Sequence, residues 1–384
     1  MKELSKVMMN LPQSGIRKLQ DAARDIPDAI RLETGEPNFR TPDYICEGAA
    51  QAMRDGFTKY TAVPGIKTLR DAIAEDTSRR LGIDVDAKQI VVTGGGTMAL
   101  QLSLACLCNP GDEVLVPDPS WPVYTMQVLS NHLKAVPYVM PASNGFQPRR
   151  EDVEPLITDK TKVIMVNTPA NPTGAVFRKE TVEMLLELAE KYDLYVISDE
   201  MYDFLTYDVP HYSMKAMDHD GRVLLISGAS KRYAMTGWRI GWVIADEMIT
   251  ALINQLMVAT IGNSTAVAQK AVETAITGPQ DFVEASKKEY RARRDAAVAI
   301  FEEEKVGCFP PHGAFYIMVD ISCCGMDSEE FALKLLAEEH VSVAPGGTFG
   351  ETSKQMIRIS YGTDMEPLCE GIRRLCRFIR KYTK

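Results

Sequence analysis

Six short apolar runs, rich in β-branched residues, mark the middle of the chain. They are Ile90-Val91-Val92, Val114-Leu115-Val116, Val163-Ile164-Met165-Val166, Leu194-Tyr195-Val196-Ile197, Val223-Leu224-Leu225-Ile226 and Trp242-Val243-Ile244. None alternates apolar with polar. Such continuous runs fit strands covered on both faces, as in a parallel sheet between helical layers. Helical periods lie between them. Val182, Leu185, Leu186 and Ala189 fall at i, i+3, i+4 and i+7, giving one apolar stripe just before the fourth run. Residues 89–111 carry no charge but are interrupted by Gly94-Gly95-Gly96, Asn109 and Pro110. That stretch predicts a buried strand, a glycine turn and a buried helix rather than a membrane span. Strand and helix alternate over roughly 85–245, which predicts an α/β layer with a mostly parallel sheet.

The two ends read differently. Residues 1–45 look loop-rich, with Pro12, Gly15, Pro27, Gly35, Pro37 and Pro42. From about residue 280 come a charged helix (Glu284 to Glu304), a Pro310-Pro311 break and short strands at 315–319 and 356–360. Ile372, Leu375, Cys376 and Ile379 then give a last amphipathic helix, whose basic residues fit a solvated face near a helix C-terminus. The expected division is a large domain over 46–279 and a smaller one built from 1–45 and 280–384.

Composition narrows the classes. The chain has 384 residues, 45% hydrophobic and 25% charged, which suits a globular protein and argues against disorder. A net charge of -9 argues against general binding of nucleic acid or an anionic membrane, while leaving room for a local anion site. Eight cysteines without a CxxC pair and five scattered histidines predict reduced thiols and no metal site. Lys2, Glu3 and Lys6 with no apolar core behind them predict no secretory signal, hence a cytoplasmic chain.

Functional groups of open α/β sheets gather at the carboxyl ends of the strands. After the first run stands Thr93-Gly94-Gly95-Gly96-Thr97, which is not GxGxxG and makes either a plain tight turn or an anion site, where glycines admit a ligand to the backbone and a helix start offers free N–H groups. After the third comes Asn167-Thr168-Pro169-Ala170-Asn171-Pro172-Thr173-Gly174. Its two X-Pro bonds predict a stiff, extended loop that presents Asn171 or simply makes a rigid crossover. After the fourth comes Ser198-Asp199-Glu200-Met201-Tyr202. Carboxylates at the end of an apolar strand need partners, and a helix N-cap accounts for Ser198 or Asp199 equally well. After the fifth, Lys231 sits among small residues, which suits a Schiff-base amine or simply a solvated lysine, and Arg239, eight residues later, suits a phosphate partner. Trp121, just past the second run, offers an aromatic face. Together these are the parts that pyridoxal phosphate requires: an anion cradle, a carboxylate for the ring nitrogen, an amide, an aromatic and an amine.

The chain resembles the class I/II, fold-type I pyridoxal-phosphate aminotransferases, and most of all their aspartate and aromatic amino-acid branch. Gly228 to Gly241 is similar at every defined position to the family's lysine-region signature. Asn171-Pro172-Thr173-Gly174, Ser198-Asp199-Glu200 and Gly313-Ala314-Phe315-Tyr316 look like further family motifs in family order. The resemblance implies an α/β fold whose large domain holds a mostly parallel seven-stranded sheet sandwiched by helices, with a smaller α+β domain formed by both termini. It implies that Lys231 forms the Schiff base and shuttles the substrate proton, and that Asp199 pairs with the ring nitrogen. Asn171 and Tyr202 would bond the phenolate oxygen, and Trp121 would stack on the ring. Gly96, Thr97 and Arg239 would hold the phosphate. Tyr60 resembles the tyrosine that reaches the phosphate of a neighbouring subunit, implying a homodimer with shared sites. Arg358 would grip the substrate α-carboxylate, with Gly35 and Asn171 beside it.

There are departures. Gly228 stands where many relatives place a phosphate-binding serine, leaving Ser230 or backbone groups to substitute. Thr97 stands where some aspartate-specific relatives carry a lysine, leaving Arg17 as a candidate for the distal carboxylate. The expected activity is ping-pong transamination between amino acids, aspartate and aromatic ones included, and 2-oxo acids, with 2-oxoglutarate as acceptor. A pyridoxal-phosphate C–S lyase, or another non-transaminase of this fold, is the alternative. A cofactor-binding regulator would need an appended helix-turn-helix, for which a resemblance beginning by about residue 12 leaves no room.

Overall fold

The computed structural model of the chain describes residues 2–12 and 15–383. In chain order the strands are β1 (Ile30–Arg31), β2 (Ile90–Thr93), β3 (Glu113–Asp118), β4 (Lys134–Val139), β5 (Thr161–Asn167), β6 (Tyr195–Asp199), β7 (Val223–Gly228), β8 (Gly241–Ile244), β9 (Cys308–Phe309), β10 (Tyr316–Asp320), β11 (Val341–Ser342), β12 (Ala344–Pro345) and β13 (Met356–Ser360). Seven of them form one sheet in the order β2-β8-β7-β6-β5-β3-β4. Its β4-β3-β5-β6-β7 stretch is parallel, and β8 runs antiparallel to both β7 and β2.

All six apolar runs became strands of this sheet, because each feeds two helical layers at once. Val163 and Met165 pack on one face with the Gly96–Leu107, Val123–Ser130 and Glu247–Thr260 helices. Ile164 and Val166 pack on the other with the Lys179–Lys191 helix. Toward β2 and β8 that second face is covered by Asp43–Arg54, Lys67–Leu81 and Ala266–Thr277. A second, antiparallel sheet has the order β12-β13-β10-β9. Helices Asp281–Glu303, Ser328–Glu339 and Met365–Tyr382 close its core through Phe301, Phe331 and Phe378 among others. Strand β1 adds a short parallel pair with β11.

Three local expectations change. The first 45 residues are loop-rich as expected, but they also hold a ten-residue helix, Gly15–Arg24, anchored in the second core by Leu19 and Ala23, one turn apart. Pro12 and Pro27 bracket it instead of preventing it. Strand β4 was not predicted, since an edge strand with partly exposed positions and a proline lacks the continuous apolar signal. The loop after β5 is not extended. It folds back on itself, with Ala170 N–H donating to Ala175 O and Gly174 N–H to Ala170 O, both at 2.9 Å. No helix among the described residues is long and apolar enough to cross a membrane.

Candidate active site

The carboxyl ends of β5, β6 and β7 open onto a cavity of about 600 Å³. Ten predicted site residues line it: Gly35, Gly96, Thr97, Trp121, Asn171, Asp199, Tyr202, Lys231, Arg239 and Arg358. Tyr60 does not. It is 95% exposed and lies away from the cavity of its own chain.

Asp199 is the last residue of β6 and is buried. Tyr124 donates its hydroxyl to Asp199 Oδ2 at 2.7 Å, and Met201 N–H donates to Oδ1 at 3.1 Å. Burial pushes the carboxyl up to about 6; the Tyr124 and Met201 donors pull it down, Glu200 pushes it up, and Lys231 pulls it down. Lys231 rises from the four-residue helix Ala229–Arg232 that follows β7, and its amine donates to the Gly35 carbonyl at 2.6 Å. Burial lowers this amine to about 8; Glu36 opposes that shift, whereas Arg358 and Arg239 reinforce it. The hydroxyls of Tyr202 and Tyr316 lie 2.7 Å apart, and burial raises both phenols.

Arg358 is 1% exposed, on β13. Its guanidinium lies 4.4 Å from the Tyr316 ring centroid and 4.9 Å from that of Phe349. Nη1 donates to Asn171 Oδ1 at 2.9 Å and Nη2 to the Glu33 carbonyl at 2.5 Å, while Nε has no partner among the described residues. Burial lowers its pKa, though far too little to discharge an arginine. A buried cation whose acceptors are neutral is prepared for an incoming carboxylate.

At the other end of the cavity the Gly96–Leu107 helix begins after Gly95, which adopts φ 94°. A β-carbon on Gly95 would lie 2.5 Å from Arg239 Nη2, and one on Gly241 would lie 2.5 Å from Gly96 N. Glycine at both places lets the helix start, the arginine and β8 converge. Gly228 is tight as well: a β-carbon there would meet Gly241 Cα and Ile240 O at 3.0 Å and Met201 Cε at 3.3 Å. Met201 Cε therefore fills the space beside Gly228, and Ser230 lines the cavity nearby.

Tyr124, Met201 and Tyr316 also line the cavity and were not singled out from sequence, although the segments containing them were. Their contacts join positions 75 and 114 residues apart, which no local pattern records. Ile16, Arg17 and Gln20 of the Gly15–Arg24 helix complete the wall. Arg17 is exposed and has no ion-pair partner among the described residues.

The aminotransferase class I and II family matches residues 27–375. Aspartate aminotransferase of Pyrococcus horikoshii is 36% identical over 369 residues, which covers 95% of this chain and 94% of that one. Aromatic-amino-acid aminotransferase 2 of Thermococcus litoralis is 35% identical over 373 residues, 96% of each chain. The solved structure of Thermus thermophilus aspartate aminotransferase with maleate superposes with a TM-score of 0.94 at 34% identity, covering 98% of this chain and 100% of that one. With sequence and fold matched over nearly its full length, the chain belongs to the class I and II aminotransferase family and is a transaminase.

Proposed function

We propose that this aminotransferase works with pyridoxal phosphate, accepts aspartate and aromatic amino acids as donors and 2-oxoglutarate as acceptor, and acts as a homodimer with shared sites. One observation carries the reading. A buried amine (Lys231), a buried carboxylate (Asp199) and a buried guanidinium without an ion-pair partner among the described residues (Arg358) open onto one cavity.

The residues present fit the cofactor. The Gly95 and Gly241 approaches leave a helix start and Arg239 facing one spot, as a phosphate needs. Gly96 and Thr97 would supply N–H groups there, and Ser230 or backbone groups would take the place of the serine missing at 228. When bound, the cofactor supplies an electron sink for negative charge developing at the amino acid's α-carbon. Asp199, opposite in charge to a protonated ring nitrogen, keeps that proton in place. Asn171 and Tyr202 would hydrogen-bond the ring oxygen, and Trp121 would cover one face. Lys231 Nζ, held below the usual lysine range by burial, takes the proton from the substrate Cα and returns it. Arg358 orients the substrate α-carboxylate with its planar fork, beside Gly35.

The side chains around the cavity favour a broad range of donors. Thr97 carries no charge, Ile16 and Trp121 are apolar, and Arg17 offers one cation. The homodimer reading draws on Tyr60, exposed and outside its own site, and on Met248, Leu252 and Val258, which stay exposed on one helix. The same reading divides the chain into residues 46–279 and the paired termini, and eight free cysteines suit a reducing cytoplasm.

The test combines chemistry with product. Borohydride treatment of the holoenzyme should fix the cofactor on Lys231. Aspartate, phenylalanine, tyrosine, alanine and kynurenine are then assayed for glutamate formed from 2-oxoglutarate. Lys231→Ala should fold and lose turnover; full turnover in that variant sinks the assignment. Pyruvate and thiol release without any 2-oxo acid would establish the lyase alternative instead.

A further inference from the structure

Three residues of the cavity each precede a charged residue that does not line it. Asp199 precedes Glu200, Tyr202 precedes Asp203 and Lys231 precedes Arg232. The side chains of Asp203 and Arg232 are only 7% and 12% exposed. Both belong to one ion network. Arg232 Nη1 and Arg80 Nε donate to the same oxygen, Asp76 Oδ2, each at 2.8 Å. Arg80 also donates through Nη1 to Asp203, and Arg79 donates to Asp76 Oδ1 at 2.6 Å. Glu200 lies beside it, accepting from Ser198, Ser213 and Met214 N–H and paired with His211 Nε2 at 2.8 Å.

The network ties three pieces of backbone together: the Lys67–Leu81 helix, the turn after β6 and the Ala229–Arg232 helix. The last is four residues long and has no side-chain cap, so it does not hold its own position. Buried ion pairs are a poor source of stability, because apolar side chains of the same volume do as well or better. Their geometry, in contrast, is exacting, since each arginine fork must meet its acid in the right plane. Two acids and two arginines, desolvated together at this place, are better explained by placement than by stability.

We propose that Asp76, Arg80, Asp203 and Arg232 are positioning residues that hold Lys231 and Tyr202 in register across the floor of the cavity. None touches substrate or cofactor. The network acts because Lys231 shares a helix turn with Arg232, and Tyr202 shares a tight turn with Asp203. The proposal rests on the assignment of Lys231 above.

The experiment uses holoenzyme carrying Arg232→Met or Asp203→Asn. Asp76 keeps Arg79 and Arg80 in the first variant, and Arg80 keeps Asp76 in the second, so no buried arginine or aspartate is stranded. Two quantities are read: the pH midpoint of the visible band of cofactor-bound Lys231, and kcat against KM for one donor. Groups facing Lys231 directly, namely Glu36, Arg358, Arg239 and Asp199, are unchanged in both proteins. Each variant should lower kcat about tenfold or more, since small misplacements of a reacting group are costly. KM should stay within about threefold, and the midpoint should move by about half a unit or more. The double variant should lose less than the product of the single losses, because both break one network. Arg232→Lys, which keeps the charge without the fork, should fall between; it carries the test if Arg232→Met fails to fold. Folded variants with unchanged kcat and midpoint overturn the proposal, as does a loss of kcat that only follows a lower Tm at an unchanged midpoint. A wild-type protein without any visible band would mean that the Lys231 assignment, and not the network, is at fault.

Discussion

The Tyr124 hydroxyl donates to Asp199 Oδ2 across 2.7 Å, with both side chains buried. This bond ties the Val123–Ser130 helix to the end of β6. It also pulls the Asp199 pKa down against the burial that raises it. The carboxylate facing the cavity therefore owes part of its charge to a phenol behind it.

Tyr124→Phe should consequently raise the Asp199 pKa and lower kcat by about tenfold, since a hydrogen bond to a charged group contributes on the order of 1.5–3 kcal/mol. Substrate KM should change little. Steady-state kinetics with aspartate and phenylalanine check this, and a kcat within twofold of wild type for both would show that the phenol is dispensable.

Lys231 gives a pH signature in the cofactor-free protein. Its folded pKa of about 8 lies below the ordinary 10.5. Below pH 8 both folded and unfolded chains carry the ammonium, and the folded one bears the full cost of burying it. Between about 8 and 10.5 the unfolded chain binds the extra proton, so stability rises with pH. Lys231→Met should thus be more stable than wild type near neutrality, by up to about 3 kcal/mol, and this gap should close toward pH 10.5. Urea unfolding of both cofactor-free proteins at several pH values measures it; a gap independent of pH would contradict the burial of the amine.

Arg17 should matter to acidic side chains only. Arg17→Gln is expected to lower kcat/KM for aspartate about fivefold, a modest loss because the guanidinium is exposed and screened. Phenylalanine should be unaffected. A wild-type preference for aspartate above about a thousandfold, roughly 4 kcal/mol in transition-state binding, would refute the broad donor profile.

Tyr60 should act in trans. Mixing Tyr60→Phe with Lys231→Ala, each weakly active or inactive alone, should regenerate complete sites as subunits exchange. No recovery after exchange has been demonstrated by labelled chains would count against shared sites.

What the chain discloses locally and what it withholds follow one physical line. Runs such as Val163-Ile164-Met165-Val166 were legible because a strand buried on both faces needs apolar residues at every position. Direction was not legible: β8 is as apolar as its parallel neighbours but runs the other way. The Gly15–Arg24 helix was hidden by the prolines and glycines around it, since a short amphipathic helix depends on the Leu19 and Ala23 contacts made far away in sequence. Ten of the predicted site residues converge because motifs at strand ends are local. Tyr124, Tyr316 and the Asp76–Arg232 pair were missed because their meaning lies in partners 75, 114 and 156 positions distant.

The Gly15–Arg24 helix has one further consequence. It contributes Ile16, Arg17 and Gln20 to the cavity, yet it is a single short segment seated on the second core by Leu19 and Ala23. Lys231, Asp199 and Arg239 stand on other elements altogether. On the proposed reading, part of the preference among side chains is thus carried by a segment separate from the residues assigned to the chemistry common to all amino acids. Substitutions along one face of that helix would then shift the choice of donor while the residues proposed to do the chemistry are inherited intact.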